Sequence, residues 1–351
     1  MRASKRILAF EGARAIAVFV VLIFHLNHLL DPYLNGFTLR TVFRGEWANM
    51  FFFTLSGYLA AVSCSKQDQL PSVKTFCRKR IKKIYPLWLA TVIFSGGLSF
   101  AEMYLCDQLA ADSLTLLASK LVLDVLLLRS WFPGNPYIYD LNGPGWFLSA
   151  MVLLWLLTIP LLKWISRMKE KQQIFLFILL MLFQLIWDAL RLNHQFMHRF
   201  TTGIWLLYPI SAYIAGMIFG RNHIESSYSP FEDSPRFGIL LLPGILVGYY
   251  VTLKLTFLEQ AYMICFMVYF IRILHVGCAP LCSILSGKKL VAVGGVSMEL
   301  LLLHVPVMRF VQFFGVIHNS AVEFVVVVVL TGISALIWKY LFGTLSARCR
   351  R

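Results

Sequence analysis

The feature that most constrains this chain is a succession of apolar segments, each long enough to cross a lipid bilayer. A membrane-spanning helix needs about 20 mostly apolar residues. Backbone groups inside lipid must be hydrogen-bonded within the protein, so such segments fold as helices. The sequence therefore predicts an all-α, polytopic integral membrane protein with about ten transmembrane helices. The candidate spans are residues 14–31, 47–64, 84–102, 145–164, 173–190, 204–220, 237–253, 256–274, 290–311 and 321–343.

The composition excludes most other classes of protein. Hydrophobic residues make up 59% of the 351 residues and charged residues only 14%, whereas soluble domains are about one quarter charged. A soluble enzyme, a disordered scaffold and a secreted disulfide module are thereby excluded. The net charge of +15 does not indicate nucleic-acid binding, because the basic residues stand in short clusters between the apolar segments. We expect one domain over residues 1–351, embedded in the lipid bilayer and without an appended soluble domain.

The distribution of lysine and arginine predicts the orientation. With the N-terminus inside, 24 of the 32 basic residues fall on the cytoplasmic side, and the outer segment 102–144 has five acidic residues against two basic ones. This positive-inside asymmetry predicts that both termini are cytoplasmic. The apolar run 114–128 contains Lys120 and Asp124 and is interpreted as a peripheral or interfacial helix. If it crossed the membrane, the count would be eleven and the basic cluster at 163–172 would lie outside.

Ionisable side chains within spans are costly and are therefore candidate functional groups. In the first span, Arg14 and His25 are eleven residues apart. That separation is within about 20° of three full helical turns, so both side chains lie on one face, about 16 Å apart along the axis. A guanidinium near the cytoplasmic mouth would then share a face with an imidazole near the middle of the bilayer. On the residues alone, Arg14 is equally a topology anchor and His25 a buried histidine with satisfied hydrogen bonds.

Two further segments carry charges. The basic run at 76–86 is typical of a positive-inside anchor or of contact with anionic lipid. Equally, Arg80 and Lys83 share a helix face and can clamp a polyanion. The ninth span holds Glu299 and His304, which are five residues and about 140° apart. If the first and ninth helices are neighbours, Glu299 can orient His25 as a general base.

The seven cysteines form no CxxC pair. Cys278 and Cys282 are four residues apart, but no second pair of His or Cys residues completes a tetrahedral site. We therefore predict structural thiols and no metal.

Five motifs are spread over the chain in the order Glu11-Gly-Ala-Arg14-Ala-Ile-Ala followed by His25, Phe51-Phe-Phe-Thr-Leu-Ser56-Gly57-Tyr, Arg78-Lys-Arg80-Ile-Lys-Lys83-Ile-Tyr-Pro86, Gly145-Trp146-Phe147-Leu148-Ser149, and Ser297-Met-Glu299 through His304-Val-Pro306. Together they resemble the integral-membrane acyltransferase-3 family of bacterial O-acyltransferases, which act on cell-surface polysaccharides and related glycans. Four positions depart from the family pattern. Lys83 replaces an arginine, keeping the charge but losing the bidentate fork, and Met151 stands where many members have glutamate. Met298 and Leu301 stand where the late motif usually has tyrosines.

The resemblance implies an enzyme of the bacterial cytoplasmic membrane. It would transfer an acyl group, most often acetyl, from cytoplasmic acetyl-CoA to a sugar hydroxyl of a cell-surface polysaccharide or lipid-linked glycan. His25 would be the catalytic group, and Glu299 is the predicted catalytic partner. On the residues alone, Trp146 is equally a packing residue, an interfacial anchor or a sugar-stacking platform. His304 is equally a catalytic support or a satisfied polar group lining the cavity. The predicted acetyl-CoA-binding residues are Arg14, Arg80, Lys83 and Ser56, and the predicted acceptor-binding residues are Trp146 and His304.

Two other classes stay open at this point. One is a transporter or flippase for a glycolipid or an anion. The sequence argues against this class because it shows no inverted repeat and no broken helices in matching positions. The other is a non-enzymatic scaffold or sensor, which does not require a buried face carrying Arg14 and His25. An activity that needs acyl-CoA and is lost on the substitution His25→Ala distinguishes the acyltransferase from both.

Overall fold

The computed structural model describes residues 8–33, 42–67, 69–132, 141–193, 209–225, 241–276 and 281–348. Within these ranges the chain forms thirteen α-helices and a few short 3-10 turns, with no strand. The helices are α1 (Leu8–Leu26), α2 (Gly45–Ser65), α3 (Val73–Leu105), α4 (Ala111–Val125), α5 (Gly145–Ile165), α6 (Glu170–Asn193), α7 (Ile210–Glu225), α8 (Leu241–Lys254), α9 (Glu259–Val276), α10 (Leu281–Leu285), α11 (Lys288–Gly294), α12 (Ser297–Phe314) and α13 (Ser320–Arg348).

Eight of the described helices are long and apolar enough to cross a membrane, namely α1, α2, α3, α5, α6, α9, α12 and α13. Two shorter apolar helices, within α7 and α8, coincide with the predicted spans 204–220 and 237–253. The prediction of an all-α, polytopic membrane protein is confirmed. The count of ten spans and the cytoplasmic position of both termini stay predictions.

Three predicted spans have different bounds in the structure. Helix α1 begins at Leu8 rather than at residue 14, and α3 begins at Val73 rather than at residue 84. The early start of α3 has a local cause: the Ser72 hydroxyl accepts a hydrogen bond from the backbone N–H of Thr75 at 3.2 Å, which caps the helix before its apolar part begins. The predicted ninth span is broken at residues 295–296, after a pair of glycines, into α11 and α12.

Small residues let α2 and α7 pack closely. A Cβ on Gly216 would lie 2.1 Å from the carbonyl oxygen of Thr54, and one on Gly220 would lie 2.6 Å from that of Tyr58. The two glycines are four residues apart and share one helix face. In a membrane, such close backbone approach drives helix association through van der Waals packing. Helix α2 also contacts α1, α5 and α9, so it lies at the centre of the bundle.

The periphery is apolar on its outside. Helices α6, α8 and α13 expose large hydrophobic side chains. In a membrane protein such a surface faces lipid, because lipid tails solvate apolar side chains. Examples are Ile178, Leu182 and Ile186 on α6, Leu242 and Leu246 on α8, and Val325, Val329 and Leu336 on α13.

Helix α12 is held between α1, α3 and α13. On its α3 side, Arg309 donates hydrogen bonds to the Ser99 hydroxyl and the Glu102 carboxylate, each at 2.9 Å. On its other side it packs against α1, the helix that carries His25. The segment after α3 folds back as α4 against α3 and leads to residues 141–144, just before α5.

Candidate active site

The last turn of α1 and the middle of α12 bring two imidazoles together. The ring centroids of His25 and His304 are 5.1 Å apart, with an angle of 47° between the planes. Aromatic rings in contact lie about 4.5–7 Å apart, so the two side chains touch. His25 is half-buried and His304 is fully buried. The first and ninth predicted spans are therefore neighbours, and His25 contacts His304 on the ninth.

The hydrogen bonding of His304 fixes its tautomer. Its Nδ1 lies 3.2 Å from the carbonyl oxygen of Leu300. A carbonyl only accepts, so Nδ1 carries the hydrogen and Nε2 carries a lone pair. Within the part of the chain that the structure describes, Nε2 is buried and makes no hydrogen bond. The ring beside His25 thus offers a buried acceptor.

Glu299 takes a different direction from His304. It lies in the first turn of α12 and is half-buried. It precedes His304 by five residues, which is about 140° around the helix and about 7.5 Å along it. Among the described residues it makes no hydrogen bond or ion pair with His25. Its role as catalytic partner stays a prediction, while the geometry gives His25 a histidine as its neighbour.

Arg14 is half-buried on α1 and pairs with Glu11. Its Nη1 donates to Glu11 Oε1 at 2.9 Å, with side-chain exposures of 27% for Arg14 and 3% for Glu11. The carboxylate lies in the first turn of the helix, where the helix dipole favours negative charge. The backbone of α11 also reaches this turn, since a Cβ on Gly294 would lie 1.8 Å from the carbonyl oxygen of Glu11. Because α1 is continuous, Arg14 and His25 share a face as predicted.

The other predicted acetyl-CoA-binding residues lie on α2 and α3. The Arg80 guanidinium lies 3.4 Å from the centroid of the Phe76 ring, a cation–π contact. Lys83, three residues on, is exposed. Ser56 is half-buried on α2. In the described part of the chain none of these three side chains is hydrogen-bonded to Arg14 or His25, so one shared donor site stays a prediction.

Trp146 is buried in the first turn of α5, with 8% of its surface exposed. Its ring packs against Phe53 with centroids 5.9 Å apart, and its carbonyl accepts a hydrogen bond from the Ser130 hydroxyl at 3.0 Å. Packing is the role that the contacts describe, and stacking on a sugar stays a prediction.

Cys278 and Cys282 are four residues apart in the sequence, and Cys278 lies outside the described residues.

A buried polar network next to the histidines was missed by the sequence interpretation. Asp124, taken as a charge on an interfacial helix, is 1% exposed and forms an ion pair with Arg129, which is 3% exposed. Arg129 Nη1 also donates to the carbonyl oxygen of Asn142 at 2.7 Å. The Asn142 amide in turn donates to the carbonyl oxygen of Leu302, two residues before His304, at 2.9 Å. The available signal was a pair of opposite charges, five residues apart, in an otherwise apolar segment.

A helical bundle in which the half-buried His25 contacts the buried His304, and in which the helix of His25 also carries the partly exposed Arg14, fits a multi-pass membrane transferase. The chain belongs to the acyltransferase-3 family, whose model, described as an acyltransferase domain, matches residues 7–344. Among curated proteins it is similar to the acyltransferase MdmB of Streptomyces mycarofaciens, with 36% identity over 149 residues. That match covers 42% of this chain and 36% of MdmB, so it spans about a third of the relative's length. No solved structure matches the chain.

Proposed function

We propose that this protein is a membrane O-acyltransferase that moves an acetyl group from cytoplasmic acetyl-CoA to a sugar hydroxyl of a cell-surface polysaccharide or lipid-linked glycan. The observation that carries the proposal is the contact between His25 and His304 inside a chain of the acyltransferase-3 family. The name of the relative MdmB, an acyltransferase, supports acyl transfer as the reaction class. The same proposal places the protein in the bacterial cytoplasmic membrane.

His25 is the proposed catalytic group, by one of two routes. As a general base it takes the proton of the acceptor hydroxyl while the oxygen attacks the thioester carbonyl. The carbon–sulfur bond then breaks, and the CoA thiolate receives the proton from the imidazolium. As a nucleophile, its nitrogen attacks the thioester carbonyl, the carbon–sulfur bond breaks, and the CoA thiolate takes the ring N–H proton to leave a neutral acyl-imidazole. The acceptor oxygen then attacks the acyl carbon, the carbon–nitrogen bond breaks, and the hydroxyl proton returns to the ring. In both routes the lone pair on His304 Nε2 suits a hydrogen bond from the His25 ring, which would fix its tautomer.

Arg14 is the proposed anchor for a phosphate of CoA. Its guanidinium stays partly exposed while it is paired with Glu11, and its five N–H donors are enough to bind a second anion. The basic start of α3, with Arg80 and Lys83, and the half-buried Ser56 would extend this donor site on the cytoplasmic side. A cluster of positive charge there attracts a polyanion such as CoA. Glu299 is proposed to support His25 in catalysis, and Trp146 is proposed to contact the acceptor.

The test is acetyl transfer from labelled acetyl-CoA in membranes that contain matched amounts of wild-type and variant protein. Hydrolysis of acetyl-CoA is the readout where no acceptor is supplied. His25→Ala is expected to reduce label release to background. His28→Ala is the matched control, since His28 is exposed and only three residues away, and it is expected to keep activity.

Equal activity in wild type and His25→Ala would refute the catalytic role of His25. A wild-type protein that binds no acyl-CoA would refute the acyltransferase proposal and favour transport. Acid quenching during turnover separates the two routes, because an acyl-imidazole carries label on the protein at residue 25 and a general base does not.

A further inference from the structure

Helix α12 contains a proline that releases one backbone carbonyl. Pro306 lacks an N–H, so the carbonyl of Leu302, four residues earlier, loses the backbone hydrogen bond that residue 306 would otherwise donate. Leu302 is fully buried, which keeps water from this carbonyl. Inside a membrane protein, an unsatisfied backbone group costs several kcal/mol by order of magnitude, so another donor is needed.

Asn142 supplies that donor from a distant part of the chain. Its Nδ2 lies 2.9 Å from the carbonyl oxygen of Leu302 and 3.1 Å from the hydroxyl oxygen of Thr91. Thr91 donates its own hydrogen to the carbonyl of Trp88 at 2.8 Å, so it accepts from Asn142. Because both neighbours are acceptors, the orientation of the Asn142 amide is fixed by its hydrogen bonds.

The position of Asn142 is fixed in turn by the buried ion pair. Arg129 donates a hydrogen bond to the backbone carbonyl of Asn142, and the Arg129 guanidinium is also paired with the Asp124 carboxylate. The carbonyl of Asp124 accepts a hydrogen bond from the Trp88 indole at 2.8 Å, which fastens the end of α4 to α3. A chain of buried hydrogen bonds therefore runs from α3 and α4 through Asn142 to α12.

Two other described helices have a proline in their interior. Pro86 in α3 and Pro160 in α5 release the carbonyls of Lys82 and Leu156. Within the described part of the chain neither of these carbonyls receives a side-chain hydrogen bond. The freed carbonyl in α12 is buried, and a dedicated donor lies against it.

We propose that Asn142 is a positioning residue for the histidine pair. By bonding the carbonyl that Pro306 releases, it stabilises the local geometry of α12 between residues 302 and 306. His304 lies midway in this stretch, so the direction of its ring toward His25 depends on that geometry. The structural part of this inference is independent of the proposed function, and only its kinetic readout rests on acetyl transfer.

The structural part is tested by a double-mutant cycle on thermal unfolding in detergent, with Asn142→Ala, Pro306→Ala and the double variant. Asn142→Ala is expected to lower the melting temperature by about 2 °C or more. In the Pro306→Ala background the same change is expected to have a smaller effect, because an N–H at position 306 satisfies the Leu302 carbonyl and only the hydrogen bond to Thr91 is still lost. Pro160→Ala is the matched control and is expected to leave the effect of Asn142→Ala unchanged.

Equal losses in the wild-type and Pro306→Ala backgrounds would overturn the inference. If Asn142→Ala does not accumulate, the inference predicts that the double variant does, and failure of both would equally overturn it.

The kinetic part uses the same variants with labelled acetyl-CoA. Asn142→Ala is expected to lower kcat about 10-fold, the change that 1.4 kcal/mol produces, with KM for acetyl-CoA within about 2-fold of wild type. In the Pro306→Ala background the loss in kcat is expected to fall below about 2-fold. Unchanged kcat in Asn142→Ala would overturn the positioning role even if the melting temperatures are coupled. A wild type without acyl-CoA turnover would refute the proposed function alone, and the unfolding cycle would still decide whether Asn142 satisfies α12.

Discussion

The Glu11–Arg14 and Asp124–Arg129 pairs are two ion pairs of the same chemistry in opposite surroundings. Both carboxylates are buried, at 3% and 1% exposure. The guanidinium groups differ: Arg14 keeps 27% of its side chain exposed, whereas Arg129 keeps 3%. Arg129 also donates a hydrogen bond to the backbone carbonyl of Asn142.

This difference gives the two pairs different roles. The Asp124–Arg129 pair, here called the sealed pair, cannot contact a ligand because both side chains are buried, so its role is to hold the local geometry. Breaking such a pair is expensive, because the remaining charge stays buried without a partner. The Glu11–Arg14 pair, here called the open pair, has a partly exposed cation. A guanidinium that reaches an accessible surface can bind an external anion while its carboxylate orients it. Exposure of the cation, more than the presence of the pair, separates a scaffold from a binding site.

The largest effect is expected on breaking the sealed pair. Arg129→Met leaves the Asp124 carboxylate buried and should lower the free energy of unfolding by about 3–5 kcal/mol. Denaturant or thermal unfolding in detergent measures the loss. The exposed Arg78→Met serves as the control for removal of a cation.

Replacing both partners, Asp124→Leu with Arg129→Met, should restore part of the stability, because no unpaired charge then stays buried. It should not restore acetyl transfer, since Asn142 still lacks the donor from Arg129. Wild-type stability in Arg129→Met alone would show that the pair contributes nothing to the fold.

The helices were largely predictable from sequence because lipid imposes one strong requirement, a long apolar segment with its backbone bonded internally. The residues at which the helices begin and end were less predictable from the sequence. The start of α3 coincides with the cap at Ser72, and the break after Gly294 lies where the backbone of α11 closely approaches the turn of α1 at Glu11. Neither is visible to a hydropathy average, which sums side chains without regard to neighbours.

The candidate site was predictable in its residues more than in its contacts. Helical geometry put Arg14 and His25 on one face, and both lie there. The same geometry showed that Glu299 and His304 diverge, but which of them meets His25 depends on the rotation of α12 against α1. Likewise, a single charge such as Asp124 indicates an interface in a hydropathy analysis, and only the fold brings Arg129 to it.

A smaller effect is expected at the open pair. Arg14→Gln keeps one amide donor for Glu11 but removes the charge available to phosphate. Hydrogen bonds to charged groups contribute about 1.5–3 kcal/mol, so KM for acetyl-CoA should rise about 10- to 100-fold. Stability should fall by much less than in Arg129→Met, and kinetics together with unfolding on the same preparations measure both. A large loss of stability with unchanged KM would reverse the contrast between the two pairs.

The smallest effect is expected at Lys83, which is exposed and in the described structure has no ion-pair partner. Exposed charges contribute about 1 kcal/mol or less, so Lys83→Ala should raise KM for acetyl-CoA less than about 5-fold. The effect should fade as salt is added, because screening weakens exposed charges. Measuring KM at low and high ionic strength checks this. If Lys83→Ala raised KM as much as Arg14→Gln and the increase did not diminish with added salt, the main binding site for acetyl-CoA would lie at the start of α3 and not at Arg14.

The hydrogen bond from Asn142 to the Leu302 carbonyl joins positions 160 residues apart in the sequence. It also constrains the order in which substitutions can accumulate during evolution. A lineage that first replaces Pro306 regains the N–H within the helix, and the asparagine is then released from selection. A lineage that first replaces Asn142 must pass through a protein with an orphaned carbonyl in its interior. Divergence at these two positions should therefore follow one path, in which the proline changes before the asparagine.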